Sequence, residues 1–226
     1  GILEALGYRN NQQPFLRLAT VAPYAALEQA LRARPAVEQA PALQSWLLQL
    51  SGWLPPERSD SIVWPRTGFG RPMSSGEWHC FRVRPANHPR RRIVGAARLL
   101  ARFWETGLVA GLGSLVQSGS PSRLTAALTV KGDADQKAAY IGASRARDLL
   151  VNVVLPFFHG RAALQGSGGD AAKCLQLYHQ VGKLQDNELV REMADRLMPG
   201  EGAGLLTGAR RQQGLIHLQR LLGGSR

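Results

Sequence analysis

Residues 149–158 read LLVNVVLPFF, and this stretch is the longest nearly apolar run of the chain. Ser144 is placed to cap a helix that leads into it. Because a helix that is apolar on almost every side must be buried, we expect this one at the centre of the fold. The run is too short to cross a bilayer. A buried amide needs hydrogen-bond partners, so Asn152 is predicted to be a structural polar hub that ties this helix to the loop before Pro89.

Helices are also predicted for most of the remaining chain, because apolar residues recur at three- and four-residue spacing between helix start and stop signals. The predicted helices begin near Pro14, Ala25, Pro41, Pro89, Leu108, Ser144, Asp170, Asp186 and Gly208. The helix from Pro89 is expected to end at Thr106. Residues 118–142 mix polar and apolar positions and favour no class.

Residues 55–88 form a long connection that is rich in proline and contains Trp64 and Trp78. Near its end Phe81 and Val83 alternate with arginines, which predicts a short strand. The tryptophans indicate a segment that packs against the protein. The predicted fold is therefore mainly α: a single domain over residues 1–226, a bundle-like helical array with a long Trp/Pro-rich loop and at most a short strand or hairpin.

Composition points to an anionic partner. The formal net charge is +12, and 24 arginines stand against four lysines. The planar guanidinium group suits bidentate contacts to phosphate, which favours nucleic acid. A GC-rich genome also produces arginine-rich chains, so the bias alone does not establish a function.

The number of cysteines and the first residues of the chain indicate the cellular compartment. Two cysteines are too few for a disulfide framework, so we expect a cytoplasmic protein with free thiols. No leader or membrane span is recognised. The chain does not begin with Met, and we expect it to be processed or to be a piece of a longer protein.

The most strongly charged stretch, residues 78–104, holds seven arginines and no acidic residue. Three of these arginines fall in the first turn of the helix from Pro89, where the helix dipole disfavours cations. A bound anion would offset that penalty. Along the same helix Arg91, Arg98 and Arg102 share one face, and apolar residues occupy the opposite one. We expect this face to grip the nucleic-acid backbone, so that glutamine at the three positions weakens binding and its salt dependence.

The same arginine pattern also has explanations that involve no ligand. A solvated arginine face whose aliphatic stems cover apolar surface explains the pattern equally well. Asn87 is expected to cap the helix. The final helix repeats the polar face more weakly, and an ordinary exposed face is favoured there over a groove. The candidate nucleic-acid or anion-binding residues are Arg82, Arg84, Asn87, Arg90, Arg91, Arg92, Arg98, Arg102, Arg210, Arg211, His217 and Arg220.

Four pieces of the sequence carry a resemblance. They are GILEALGYRNNQQPF at residues 1–15, FRVRPANHPRRRI at 81–93, the stretch 152–156, and RRQQGLIHLQRLL at 210–222. Together they resemble an uncharacterised bacterial family, a domain of unknown function. The resemblance implies that this chain is the helical C-terminal portion. It also implies a further N-terminal half, with Gly-Pro-Asp and Glu-x-His segments reminiscent of a metal-dependent nuclease core.

Signals for catalysis are weak. Zinc would have to use His79, Cys80, Cys174 and His179, which lack paired ligand spacing. Asp133 and Asp135 with Lys137 would suit a divalent-metal nuclease site, but a turn is the simpler interpretation. No nucleophile elbow, phosphate-binding Gly-rich loop or dinucleotide fingerprint occurs. We therefore expect no cofactor or metal, and no catalysis by this chain alone.

The predicted function is that of an arginine-rich domain that binds or positions the phosphate backbone of nucleic acid, as an accessory to a nuclease-like half outside this chain. One alternative is a protein-interaction scaffold that meets an acidic partner or the missing half. Another is a hydrolase with an unrecognised metal site. A salt titration of binding to DNA and RNA separates the three.

Overall fold

The structure is a computed structural model that describes residues 1–7, 10–55, 64–134, 138–185, 188–200 and 206–223. The prediction of a mainly α fold is confirmed. Within these residues the β-structure is limited to two isolated bridges, Val130 with Ile141 and Gly182 with Gly208. The helices group into two compact units, Gly1–Gly111 with Leu128–Arg145, and Leu112–Ala127 with Ala146–Arg226. Whether the chain behaves as one domain stays a prediction.

The first unit is built from five helices that precede the unit boundary. They are α1 Ile2–Leu6, α2 Gln12–Val21, α3 Tyr24–Arg32, α4 Ala36–Leu50 and α5 Pro89–Arg102. Helices α4 and α5 pack against each other, as do α1 and α2. Fully buried side chains include Phe15, Leu31, Trp46 and Ile93, so the core of this unit draws on α2 to α5.

Helix α4 begins earlier than the sequence predicts. Pro41 lies inside the helix, which begins at Ala36 after Pro35. A proline removes one backbone hydrogen bond and crowds the carbonyl group four residues before it. Here that residue is Val37, whose side chain is exposed, so water can solvate the freed carbonyl. Burial of Leu43 and the other apolar side chains of α4 outweighs the local cost.

Three short helices connect the units in the chain. They are α6 Leu108–Gln117, α7 Pro121–Leu128 and α8 Ala143–Leu149. Residues 118–142, for which the sequence favoured no class, therefore contain α7 followed by an irregular segment. Helix α8 begins one residue before Ser144, so Ser144 is in its first turn and is not the residue that precedes the helix.

The second unit holds α9 Leu155–Leu164, α10 Gly168–Gln180, α11 Glu188–Leu197 and α12 Ala209–Gly223. Helices α9 and α10 pack together, and so do α11 and α12. Asp170 lies in the first turn of α10 and accepts a hydrogen bond from Ser167, the residue that precedes the helix. The predicted cap at Asp170 is therefore wrong by three positions. Asp186 lies outside the described residues.

The apolar run 149–158 is buried only in part. Leu150, Val151 and Val154 are buried, and they lie in a π-helical turn over Leu150–Val154. The wider turn has a cause, because Pro156 cannot donate the hydrogen bond that the carbonyl of Asn152 would accept in an α-helix. Asn152 itself is exposed and its amide donates to the carbonyl of Asp148 at 3.0 Å. The prediction that Asn152 is a buried hub tied to a distant loop is wrong.

Candidate nucleic-acid interface

The arginine-rich loop before α5 is held firmly where it begins. Trp78 is buried, its indole N–H donates to the carbonyl of Ser51 at 2.8 Å, and its ring lies 5.0 Å from that of Phe15. The buried amide of Asn11 donates to the carbonyl of His79 at 2.8 Å and accepts from its N–H at 2.9 Å. These contacts join the loop to α2 and α4 and fix the backbone on which the next residues stand.

The predicted strand at Phe81 to Arg84 is wrong, because this segment is a turn. The N–H of Val83 reaches back to the carbonyl of Cys80 at 3.4 Å. Arg82 has a φ of +55°, which no strand residue adopts. The turn leaves the side chain of Phe81 71% exposed. Alternating sequence alone could not reveal this, because the residues that pin the loop lie far away in the chain.

The loop is also held where it ends. A 3₁₀ turn over Pro85–Asn87 leads into α5, and His88 precedes the helix without a side-chain capping bond. The carbonyl oxygen of the Asn87 side chain instead accepts a hydrogen bond from Arg92 at 2.8 Å. The prediction that Asn87 caps α5 is therefore wrong. Asn87 serves as an acceptor for a buried arginine, which fastens the turn to the helix.

Between the two anchors lies a cleft of about 550 Å³. Its lining residues are Asn10, Asn11, His79, Phe81, Arg82, Val83, Arg84 and Asn87. Among the described residues, this lining contains two arginines and no acidic side chain. Arg82 and Arg84 are exposed, and neither has a hydrogen bond or ion pair within the described part of the chain. The guanidinium carbon of Arg82 lies 5.1 Å from the centre of the Phe81 ring.

Four arginines of α5 behave differently, because each donates a hydrogen bond to another part of the chain. Residues 129–134 and 138–141, which we call the docked segment, lie along the helix. Arg91 donates to the carbonyl of Ala138 at 2.5 Å, and Arg102 donates to the carbonyl of Thr129 at 2.9 Å. Arg98 donates to both carboxylate oxygens of Asp133, at 2.6 and 3.2 Å. The predicted cationic face is thus the place where this segment binds.

Tyr140 is central to the docked segment. Its ring lies 4.6 Å from the guanidinium carbon of Arg91 and 4.5 Å from that of Arg98, within cation–π range of both. Its hydroxyl donates to Asp133 at 2.6 Å. The hydrogen bonds from Arg98 and Tyr140 lower the pKa of Asp133, and the bond to Asp133 raises the pKa of Tyr140. Gly95 lies between the two arginines and lets the segment approach the helix closely.

Arg92 is the clearest correction among the predicted phosphate contacts. Its side chain is only 5% exposed. One nitrogen donates to the carbonyl of Tyr140 at 2.9 Å and another donates to Asn87. Since Arg91 and Arg92 both bind carbonyl groups, the three arginines of the first turn do not gather around one anion. Carbonyl oxygens supply the negative partial charge that the helix start requires.

Arg90 alone of that turn remains open. It is exposed and has no hydrogen bond or ion pair within the described residues. It lines a second cleft, of about 620 Å³, together with Arg91, Arg98 and Asp133. His88 lines the same cleft, and burial together with the positive charge of Arg90 lowers its pKa. His88 is therefore neutral at pH 7, and the open cation beside it is Arg90.

The remaining predicted residues lie in the second unit. Arg210, Arg211, His217 and Arg220 are exposed on α12. The arginines of the loop and of α5 belong to the first unit. The apolar side of α12 is only partly covered, because Leu215 is buried whereas Leu218 and Leu222 are exposed.

The metal-site candidates are not brought together. Among the described residues no three His, Cys, Asp or Glu side chains are grouped to hold an ion. Cys80 is exposed and Cys174 is buried, which raises the pKa of the Cys174 thiol. Asp133 is engaged by Arg98 and Tyr140, while Asp135 and Lys137 lie outside the described residues.

Three residues that shape this region were missed by the sequence analysis. Asn11 fixes the loop, Phe81 is its exposed ring and Tyr140 covers the arginines of α5. Phe81 lay inside a predicted strand, where an aromatic residue is ordinary. The contacts of Asn11 and Tyr140 span 68 and 48 residues, and no local pattern announces such pairs.

Comparison with known proteins adds a family but no activity. The model of a family described as "Protein of unknown function (DUF2851)" matches residues 1–187, which is most of the chain. Searches of curated proteins and of solved structures find no match. Among the described residues, no helix combines the length and apolar character needed to cross a membrane.

Proposed function

We propose, for a chain that belongs to the DUF2851 family of proteins of unknown function, that it binds the phosphate backbone of nucleic acid. Three side chains carry the proposal: Arg82, Arg84 and Arg90, which we call the open arginines. The bound arginines, Arg91, Arg92, Arg98 and Arg102, have partners within the chain and contribute less. Recognition of this kind is electrostatic and weakly sequence-specific.

The observation that supports this proposal most directly is the pair of exposed arginines in the loop cleft, whose lining contains no acidic side chain among the described residues. An exposed cation without an internal partner keeps its full attraction for an external anion. The net charge of +12 adds a long-range field of the same sign. Arginine also offers phosphate two parallel N–H groups, which lysine cannot do.

The salt dependence of binding measures how many phosphate contacts the protein makes. Each phosphate that a protein neutralises lowers the slope of log K against log salt by about 0.7 to 0.9. Three open arginines therefore account for roughly two to three units of slope. Affinity for an oligonucleotide should fall steeply as salt rises from roughly 50 to 200 mM.

The test replaces the three open arginines together, as Arg82→Gln, Arg84→Gln and Arg90→Gln. We expect the slope to flatten by roughly two units and binding at low salt to weaken at least tenfold, measured by fluorescence anisotropy. The matched control is Arg161→Gln, Arg191→Gln and Arg196→Gln, which removes the same charge from exposed positions of the second unit. Equal losses for both triple variants would show that only net charge matters.

The scaffold alternative makes a different prediction in the same experiment. An acidic protein partner would leave nucleic-acid binding weak at physiological salt in wild type, and the open arginines would then matter only to the protein complex. A hydrolase that uses Asp133 gains no support from its geometry, because both carboxylate oxygens accept from Arg98 and one also accepts from Tyr140.

A further inference from the structure

We infer that the nucleic acid bound at the loop cleft is single-stranded, with one unpaired base stacked on the Phe81 ring. Arg82 and Arg84 would then contact the phosphates on either side of that base. This inference rests on the proposed function and names its substrate class. It draws on the exposure of Phe81, on the two anchors of its loop and on the size of the cleft.

Phe81 is the most exposed aromatic side chain among the described residues, at 71%. The other exposed large aromatics, Tyr24 and Phe157, are 38% and 50% exposed. Folding leaves such a ring in water only at the cost of its hydrophobic stabilisation. A partner with a flat face of its own recovers that stabilisation, and every nucleobase has one.

Hydrogen bonds hold the loop that carries this ring on both sides of Phe81 before any ligand arrives. Asn11 fixes the backbone of His79 with two hydrogen bonds, and Arg92 fixes the side chain of Asn87. Between them Arg82 adopts a left-handed conformation that an arginine rarely takes. That conformation sets the Phe81 ring beside the guanidinium group of Arg82, 5.1 Å from it. An exposed ring beside a cation, on a loop that is anchored on both sides, needs little backbone rearrangement to bind a base and its phosphate.

Intact duplex nucleic acid offers this ring no base face unless a base step is first unstacked, which costs free energy. Its bases are stacked on one another inside the helix, so that a protein ring at the surface reaches only sugars, phosphates and base edges. The cleft beside Phe81, about 550 Å³, falls within the roughly 300–1,000 Å³ typical of ligand pockets. An unpaired base can enter it while the backbone runs along the arginines. This combination of stacking ring and cationic groove is typical of sites for single strands.

The experiment changes the ring and keeps every charge. Phe81→Leu should weaken binding of single-stranded oligodeoxyadenylate about tenfold while leaving its salt slope unchanged. Binding of a duplex of equal length should change by less than about twofold. Phe81→Tyr, which retains an aromatic face, should restore most of the single-strand affinity. Equal losses on single strands and duplex, or no loss on either, would overturn the inference.

A second readout reports stacking directly. In Phe81→Trp the new indole should be quenched when oligodeoxyadenylate binds, relative to the wild-type signal from the native tryptophans. An abasic oligonucleotide of the same length carries the same phosphates and should bind without that quenching. Absence of quenching with bound oligodeoxyadenylate contradicts stacking.

The two proposals fail in distinguishable ways. If the proposed function is wrong, neither single strands nor duplex bind in a manner that the triple arginine variant changes. If only this inference is wrong, the triple variant still loses affinity and slope, while Phe81→Leu binds single strands as well as wild type does.

Discussion

Two sets of arginines lie within one short stretch of this chain, and they do opposite things. The bound arginines project from α5 toward the docked segment, where they donate hydrogen bonds to backbone carbonyl groups and to the carboxylate of Asp133. The open arginines stand on the preceding loop and at the first turn of the helix and have no such partners within the described residues. Both sets consist of arginines within residues 82–102. What differs is whether distant residues of the same chain reach them.

The difference teaches that an arginine face on a helix serves the chain's own packing when that helix is central to its unit. Most of α5 is buried, including Ile93, Ala96 and Leu99. Its cationic side therefore borders other parts of the protein and needs acceptors there. Exposed arginines of a loop do not need such acceptors within the protein, because water solvates them. The loop before α5 is consequently the better place to look for an external anion.

The largest predicted effect is the difference in stability between two variants, one that replaces a bound arginine with leucine and one that replaces an open arginine with leucine. Arg92→Leu removes the donors that satisfy the Tyr140 carbonyl and the Asn87 side chain inside the protein. Leaving such acceptors unpaired should lower the free energy of unfolding by about 2–4 kcal/mol. Arg90→Leu should change it by less than about 0.5 kcal/mol, because Arg90 is exposed. Urea unfolding followed by circular dichroism measures both.

For nucleic-acid binding we expect the opposite, with a larger loss in Arg90→Leu than in Arg92→Leu. Arg90→Leu should weaken nucleic-acid binding and reduce the salt slope by close to one unit. Folded Arg92→Leu should retain the wild-type slope. If both variants lose stability equally, the distinction between the two sets has no energetic basis.

A smaller effect is expected from crowding the docked segment. In Gly95→Ala the added Cβ would lie 3.0 Å from Cγ1 of Ile141 and 3.2 Å from Cβ of Tyr140. Alanine favours a helix over glycine by about 1 kcal/mol, but overpacking costs about 1–3 kcal/mol. We therefore expect a net loss of about 1 kcal/mol in thermal or urea unfolding.

The control for helix propensity is Gly214→Ala in α12, where the added Cβ has open space around it. This variant should be neutral or more stable than wild type. A gain of stability in Gly95→Ala as large as that in Gly214→Ala would show that the docked segment is not packed closely against α5.

Sequence reasoning predicted the helical class because the spacing of apolar residues is a local property. It placed the start of α5 at Pro89 correctly but put its end at Thr106, whereas the helix ends at Arg102. Residues 103–106 form a turn in which Phe103 is buried, so packing of that ring, and not continued periodicity, decides the boundary. Helix ends depend on contacts that the local pattern does not contain.

The sequence identified the arginines of the candidate site but not which of them other parts of the chain bind. Arg82, Arg84 and Arg90 were among the candidates, and so were arginines that the chain itself binds. Sorting one group from the other requires the positions of Asp133 and Tyr140, which lie 35 and 48 residues from their arginine partners. A single sequence without pairing information cannot supply contacts over that separation.

The smallest effect tests Asp133, the carboxylate that pairs with the bound arginine Arg98. Hydrogen bonds from Arg98 and Tyr140 lower the pKa of Asp133 in the folded protein. A depressed pKa stabilises the fold above the pKa of the unfolded state, about 4, and that contribution disappears as pH falls through the lower folded value. Asp133→Asn should therefore be less stable than wild type at pH 7, and the difference in urea midpoint between the two proteins should disappear in acid.

The control is Asp195→Asn, at an exposed residue without a side-chain partner within the described part of the chain. Its difference in urea midpoint from wild type should not depend on pH. If the Asp133→Asn gap stays constant from neutral to acid pH, the carboxylate does not hold Arg98, and that arginine belongs with the open set.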